Sequence, residues 1–252
     1  MELREVLQPY FWVESNLFSD VSKYEVTDKI GRGKYADVFK GVNMETGAEV
    51  ALKVLHPRKL FSLVTKKKIQ REVWVMQKLK DCTSTAKLLE VVRDPGPHSI
   101  SLVLEYVPSA DYRELYPKFT DAEVRQYMFQ LFKALDQIHS KGIIHRDIKP
   151  HNIAYDPKTK NLKIIDFGLG VQSNTFDSRL MEADCGTVIY MSPERLAKAR
   201  CSQKADVYSV GIILLELLQG PLAKTLHFKE KHQLRLFLQD NTWDLSNSGC
   251  SM

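Results

Sequence analysis

The stretch His-Arg-Asp-Ile-Lys-Pro-His-Asn, His145 to Asn152, decides how this chain is read. It sets a carboxylate (Asp147), an ammonium (Lys149) and a carboxamide (Asn152) close together. Just upstream runs TDAEVRQYMFQLFKALDQIHSKG, which starts on a Thr/Asp cap signal, strings Val124, Met128, Leu131, Leu135 and Ile138 along one stripe, and stops at Gly142. The octapeptide therefore reads as a loop after a long helix. A carboxylate, an ammonium and a carboxamide at these fixed offsets in a loop are a specific pattern that chance seldom assembles.

Downstream, the strand-like NLKII leads into Asp-Phe-Gly, where Asp166 offers a carboxylate with glycine freedom beside it, and SPE (Ser192 to Glu194) closes the intervening segment. Far upstream lies GRGKYADV, Gly31 to Val38. Glycines there let a hairpin backbone approach phosphate oxygens that a Cβ would hold off. An ordinary hairpin has the same composition, and Ala36 stands where a third glycine of the pattern would fall. No helix follows, which rejects a dinucleotide fold, since that fold needs a helix N-terminus for the pyrophosphate.

Two more charged residues need explaining. Lys53 ends the apolar run VALK, so it either faces water on an edge strand or is buried and paired. KKKIQREVWVMQKLK reads as a helix with Ile69, Val73, Met76 and Leu79 on one face. Its exposed side is expected to carry Lys66, Lys67, Lys68 and Arg71, and Glu72 is expected to turn towards Lys53. The basic run alone would also suit a nuclear address or a patch for acidic ligands.

Short β-rich runs recur up to Tyr106 (YEVTDKI, ADVFKGVNM, AEVALKVL, LLEVVRD, ISLVLEYV), after which the chain turns helical. A run from about Ser202 to Gly220 is apolar almost all round and is expected to be buried centrally. The order implies an α+β, two-lobed architecture: an N-terminal arm over residues 1–23, a β-rich lobe with one main helix over 24–107, and a mostly helical lobe over 108–252.

Composition sets the outer limits. The 252 residues are 44% hydrophobic and 27% charged, values of an ordinary globular chain. A net charge of +5 is slight for a nucleic-acid binder, so no nucleic acid is expected. The four cysteines form no CxxC pair, and no apolar run suits a membrane, so an intracellular setting (cytoplasm or nucleus) is expected.

Taken in order and spacing, GRGKYADV, VALK, the glutamate of KKKIQRE, HRDIKPHN, IIDFG and SPE resemble the signature of eukaryotic protein kinases. The resemblance implies a bilobal kinase fold, ATP and Mg2+ as cofactors, and transfer of the γ-phosphate to a protein hydroxyl. It makes Asp147 the base, Lys53 the grip on the α and β phosphates with Glu72 holding it, and Asn152 and Asp166 the metal ligands. Gly31, Arg32, Gly33, Val38, Ala51, Glu105 and Val107 would contact the nucleotide, with Leu104 as gatekeeper. Lys149 with Thr187 marks serine/threonine specificity, and Asp206 would anchor the catalytic loop from below.

A finer resemblance runs from about Tyr10 to Leu169. GRGKYADVFKGVN, KKKIQRE, VVRDP and the helix leading into HRDIKPHN look like the catalytic (alpha) subunit of casein kinase II, a CMGC-type family. This implies acidic protein substrates bound by Lys66, Lys67, Lys68 and Arg71. It also implies a regulatory beta-like subunit on the outer N-lobe positions Val26, Phe39, Leu52, Val92 and Val103, which are apolar as most strands are. Departures fall after Asp166: Phe167 replaces the family's tryptophan, and Asp184, Val188 and Met191 stand where it has basic residues. An insertion, RKLFSLVT, precedes the lysine run. Arg146 could pair with a phosphate on Thr175 or Ser178. The stretch after LLELLQG is short for a kinase C-lobe, which reads as truncated and raises a rival reading: a catalytically weak module that binds nucleotide and partners.

Overall fold

Strands form where the sequence alternates or runs apolar, and the computed structural model pairs them into one six-stranded sheet. It describes residues 19–33, 35–56, 63–93, 100–173, 187–197, 199 and 201–219. The arm as far as Phe18, residues 57–62 of the insertion region, Thr175, Ser178, Asp184 and the tail beyond Gln219 lie outside the described residues, as does the side chain of Lys66.

Strands β1 (Ser19–Asp20), β2 (Tyr24–Arg32), β3 (Ala36–Asn43), β4 (Glu49–Leu55), β5 (Leu88–Arg93) and β6 (Ile100–Glu105) lie in the order β1-β5-β6-β4-β3-β2. All neighbours are antiparallel except β1, which runs parallel to β5. The turn between β3 and β4 closes on Asn43, whose side-chain oxygen accepts the N–H groups of Glu45 and Thr46, while Gly47 takes a positive φ of 71°.

Helix α1 (Leu63–Lys78) covers one face of the sheet. Its Ile69 and Val73 pack with Ala36, Leu55, Val91 and Leu102. Each such side chain contributes about 1.5–3 kcal/mol by leaving water. The helix begins three residues before the lysine run rather than at it, so the basic residues sit inside its first two turns.

On the opposite face, Val50, Leu52, Val92 and Val103 make a second small core, closed by Val21, Tyr24, Phe39 and Val54. Residues 21–24 fold back over the sheet there and are tied down by Glu90, which accepts from Lys23 Nζ at 2.8 Å and Tyr24 Oη at 2.6 Å. Leu52, Val92 and Val103 are thus buried by this chain itself rather than displayed as an outer surface; Val26 is exposed and Phe39 half-buried.

The helical half is organised by α2 (Asp121–Ser140) and α3 (Lys204–Gln219). Helix α2 starts on a reciprocal cap in which Thr120 Oγ1 accepts from the Glu123 N–H and Glu123 accepts from the Thr120 N–H. It ends before Gly142, at φ 71°. Met128, Leu131, Leu135 and Ile138 enter the main core with Val210, Ile212 and Ile213 of α3. Helix α3 is less enclosed than its composition suggested: Val207, Gly211 and Leu218 are exposed, while its buried side also holds Asp206, Ser209 and Glu216. These polar groups are satisfied internally, for Glu216 accepts from Tyr190 Oη at 2.9 Å on both oxygens and Ser209 donates to the Tyr190 carbonyl. Strands β7 (Ile143–Ile144), β8 (Ile153–Asp156), β9 (Asn161–Ile164) and β10 (Val171–Gln172) make two small antiparallel pairs, β7 with β10 and β8 with β9. Among the described residues, no helix is long and apolar enough to cross a membrane.

Candidate active site

A cavity of about 790 Å³ opens between the sheet and the helical half. Gly31, Arg32, Gly33, Val38, Ala51 and Lys53 line it from the sheet; Leu104 to Val107 form its back, and Asp147, Asn152, Ile165 and Asp166 its floor. The volume suits a nucleotide-sized ligand. At the hairpin tip, Gly33 donates to the Ala36 carbonyl, and a Cβ at Gly33 would stand only 3.1 Å from that oxygen.

Lys53 is not an edge residue. Its Nζ lies 2.5 Å from Glu72 Oε1 and 2.8 Å from Asp166 Oδ1. Burial works against the charge on this lysine, but the two carboxylates outweigh it and raise its pKa. Burial pushes Glu72 up despite Lys53, whereas the Lys53 charge brings Asp166, which is half-exposed to the cavity, down to about 2. Asp166 is therefore an anion at any working pH. Its backbone sits at φ 61°, which aims the carboxylate across to Lys53.

The loop from His145 to Asn152 is built around Asp147. Lys149 Nζ donates to Asp147 Oδ2 at 2.8 Å, and Asn152 Nδ2 donates to the same oxygen at 2.9 Å and to the Asp147 carbonyl at 2.8 Å. With its amide nitrogen spent on Asp147, the oxygen of Asn152 is the atom left for a cation. From below, the buried carboxylate of Asp206 accepts the backbone N–H groups of His145 and Arg146, each at 2.8 Å, and bonds His139 Nε2 at 2.9 Å.

Sequence reasoning missed the part played by His145. Its Nδ1 accepts the Asp147 N–H at 3.2 Å, so the proton sits on Nε2, which donates to the Ile165 carbonyl at 3.1 Å. The buried ring also meets Phe167 edge-on at 4.9 Å between centroids. One histidine thus links the Asp147 loop to the segment carrying Asp166. Its place in the HRD run was the only signal.

Among the described residues, no three His, Cys, Asp or Glu side chains cluster as a metal cage. A hard cation held by one carboxylate, one carboxamide and ligand phosphates needs none, and Asp166 with Asn152 fit that donor set.

The basic face of α1 differs from expectation. Arg71 is buried, with Nη2 3.3 Å from the Gly168 carbonyl, because the Asp166–Gly168 turn arrives alongside it. Lys68 is half-buried, its ammonium 4.9 Å over the Tyr35 ring at the glycine-rich tip; Lys67 alone of the described three is exposed. Thr187 is exposed at the start of a 3-10 turn (Val188–Tyr190) and does not line the cavity. Val107 and Glu105 line its back wall, and the Glu105 side chain is engaged by Lys163.

Comparison with known families agrees with this geometry: the model of the protein kinase domain matches residues 24–246. That span begins with the first residue of β2 and contains the cavity, Lys53, Glu72, the Asp147 loop and Asp166. The chain belongs to the protein kinase domain family, the phosphotransferases that use ATP and Mg2+.

Proposed function

We propose that this chain is a protein serine/threonine kinase of casein kinase II type, transferring the γ-phosphate of ATP to hydroxyls of acidic protein substrates. The observation that carries the catalytic part is the double pairing of Lys53 with Glu72 and Asp166 in the same cavity as Asp147. This arrangement favours an enzyme over a weak nucleotide-binding module, because every charged group the transfer needs is already oriented.

Lys53, held charged by Glu72, neutralises the α and β phosphates. Asn152 and Asp166 would hold Mg2+, which supplies Lewis-acid charge neutralisation at the phosphate oxygens when bound. Asp147 accepts the proton of the attacking hydroxyl as the new O–P bond forms and the bond from the γ phosphorus to the β–γ bridging oxygen breaks, releasing ADP, and Lys149, on the same carboxylate, balances charge at the transferred group. Gly31 and Gly33 admit the phosphates beneath the hairpin, with Arg32 at its edge. Val38, Ala51 and Leu104 sandwich the adenine, and the Glu105 and Val107 backbone meets its edge.

Serine/threonine selectivity rests on Lys149 and Thr187. Acidic preference rests on Lys66, Lys67 and Lys68, of which Lys67 is the most open described member; Arg71 is given to the fold. A beta-like regulatory partner would have Val26 and Phe39 to contact, a narrower patch than the resemblance implies.

The test is phosphate transfer by the purified chain with Mg-ATP to two peptides, one acidic after the serine and one neutral, beside Asp147→Asn. Transfer that is faster to the acidic peptide and absent in the variant is expected. Equal, negligible transfer by both proteins sinks the kinase reading, and preference for the neutral peptide sinks only the acidic one.

A further inference from the structure

Strand β9 alternates between more open side chains and side chains buried in the core. Leu162 and Ile164 are buried in the core, so Lys163 and Ile165 share the opposite face, and Ile165 lines the cavity. Lys163 projects on that side, and its Nζ meets Glu105 Oε1 at 2.5 Å across 58 residues of sequence. The lysine side chain is 14% exposed and the glutamate 32%, so the contact is partly shielded from solvent.

Glu105 is also held from its other side. Its N–H donates to the Lys87 carbonyl at 2.9 Å, and its Oε2 accepts the Lys87 N–H at 3.2 Å. Lys87 in turn sends its ammonium onto the carbonyls of Lys80, at 2.6 Å, and Cys82, just past the end of α1. The Glu105 carboxylate thus joins its own strand, the back wall of the cavity, to the strand that delivers Asp166 three residues after Lys163, and through Lys87 to the residues just past the helix that carries Glu72. The other ties between β9 and the segment after α1 are backbone bonds, Ile164 N–H to Ser84 and Ala86 N–H to Ile164.

We propose that Glu105 and Lys163 act as a positioning pair for the nucleotide, fixing the distance between the wall that meets the adenine and the strand that presents Asp166. The proposal deepens the kinase reading above and rests on it. The pair is made in the same structure in which Lys53 reaches both Glu72 and Asp166, so it belongs to that assembled arrangement.

The experiment compares the full chain with Glu105→Gln, Lys163→Met, the double variant and Lys163→Arg, reading Mg-ATP affinity by calorimetry, KM and kcat for ATP, and the thermal midpoint. Each single variant is expected to raise Kd and KM about three- to fivefold, the reach of a partly shielded ion pair, with kcat within about twofold. The double variant should be no worse than the poorer single one, because the two changes remove one interaction, and Lys163→Arg should keep the original affinity. A change in stability alone would not produce that split. Unchanged affinity in folded single variants, additive losses, or a raised kcat would each overturn the proposal. If the chain binds Mg-ATP yet transfers nothing, the kinase reading fails while the affinity cycle still decides the pair.

Discussion

Asp206 accepts the backbone N–H of Arg146 at 2.8 Å, and Arg146 stands at φ 69°, a left-handed conformation that a non-glycine residue adopts at a cost of about 1–2 kcal/mol. The carboxylate on α3 therefore does more than fill a hole beneath the loop. It compensates the strain that turns Asp147 up towards the cavity, and its third bond, to His139, ties α2 into the same knot.

Asp206→Ala should accordingly cost about 3–5 kcal/mol of stability, since three hydrogen bonds to a buried charge are lost together. Asp206→Asn should cost less and still slow transfer, because one amide nitrogen faces N–H donors. Denaturant unfolding alongside the transfer assay checks both; an alanine variant of undiminished stability would refute the role.

Lys53→Met should destabilise by about 3 kcal/mol near neutral pH by leaving the Glu72 carboxylate buried without its counter-charge. The pKa of Glu72 is already raised, so its protonated form favours the fold and its ionised form opposes it; without Lys53 it rises further. Asp166 works the other way. Its depressed pKa stabilises the fold at pH values above the ordinary carboxylate range, and that contribution disappears as pH falls towards about 2. The stability deficit of the variant should hence be largest on the alkaline side, where Glu72 is ionised, and shrink as pH falls and Glu72 takes up its proton, as unfolding at several pH values would measure. A deficit that stays constant with pH would contradict this account.

Arg71→Ala should slow transfer to acidic and neutral peptides alike, because it removes the donor to the Gly168 carbonyl rather than a substrate contact. Lys67→Ala, exposed on the same helix, should leave stability within about 0.5 kcal/mol and weaken only the acidic peptide. Ratios of kcat/KM for the two peptides separate these outcomes, and a selective loss in Arg71→Ala would restore the sequence expectation.

Tyr190→Phe removes the hydroxyl proton that Tyr190 shares between the two oxygens of Glu216 in the interior and should cost about 1–3 kcal/mol. Combining it with Glu216→Gln should cost less than the two separate losses summed, as expected of partners in one contact. Thermal unfolding of the three variants gives the comparison.

The strands and the stripes of α1 and α2 could be read in advance because alternation and a 3.6-residue period are local properties. Lys53 with Glu72 could be inferred too, since an ammonium in an apolar strand calls for a partner and the neighbouring helix offers one. Arg71 was misjudged for the reason that a helical period gives an angle and not what arrives there; Gly168 comes from 97 residues away. The same holds for Lys163, which looks like any polar residue of a strand until Glu105 lies opposite, and for Leu52, Val92 and Val103, whose cover is a short segment without a pattern of its own. Asp147, Asn152 and Asp166 stand out by their order and spacing, whereas for His145, just ahead of them, membership of the same run is the only hint that its ring bridges their loops.

The segment that follows α1 is fastened to the helical half: Gln137 bonds Thr83 and the Ser84 N–H, and Ile164 pairs with Ser84 and Ala86. Mechanically, α1 is a rod of about 24 Å whose C-terminal end is a fixed pivot, with Glu72 about 9 Å along it and the lysines nearly twice as far. A swing of about 10° about that pivot would carry Glu72 some 1.5 Å, enough to part it from Lys53, and would carry Lys67 about twice as far. Whatever pulls on the lysine end works with a lever ratio of about two over the charge pair on which the cavity depends.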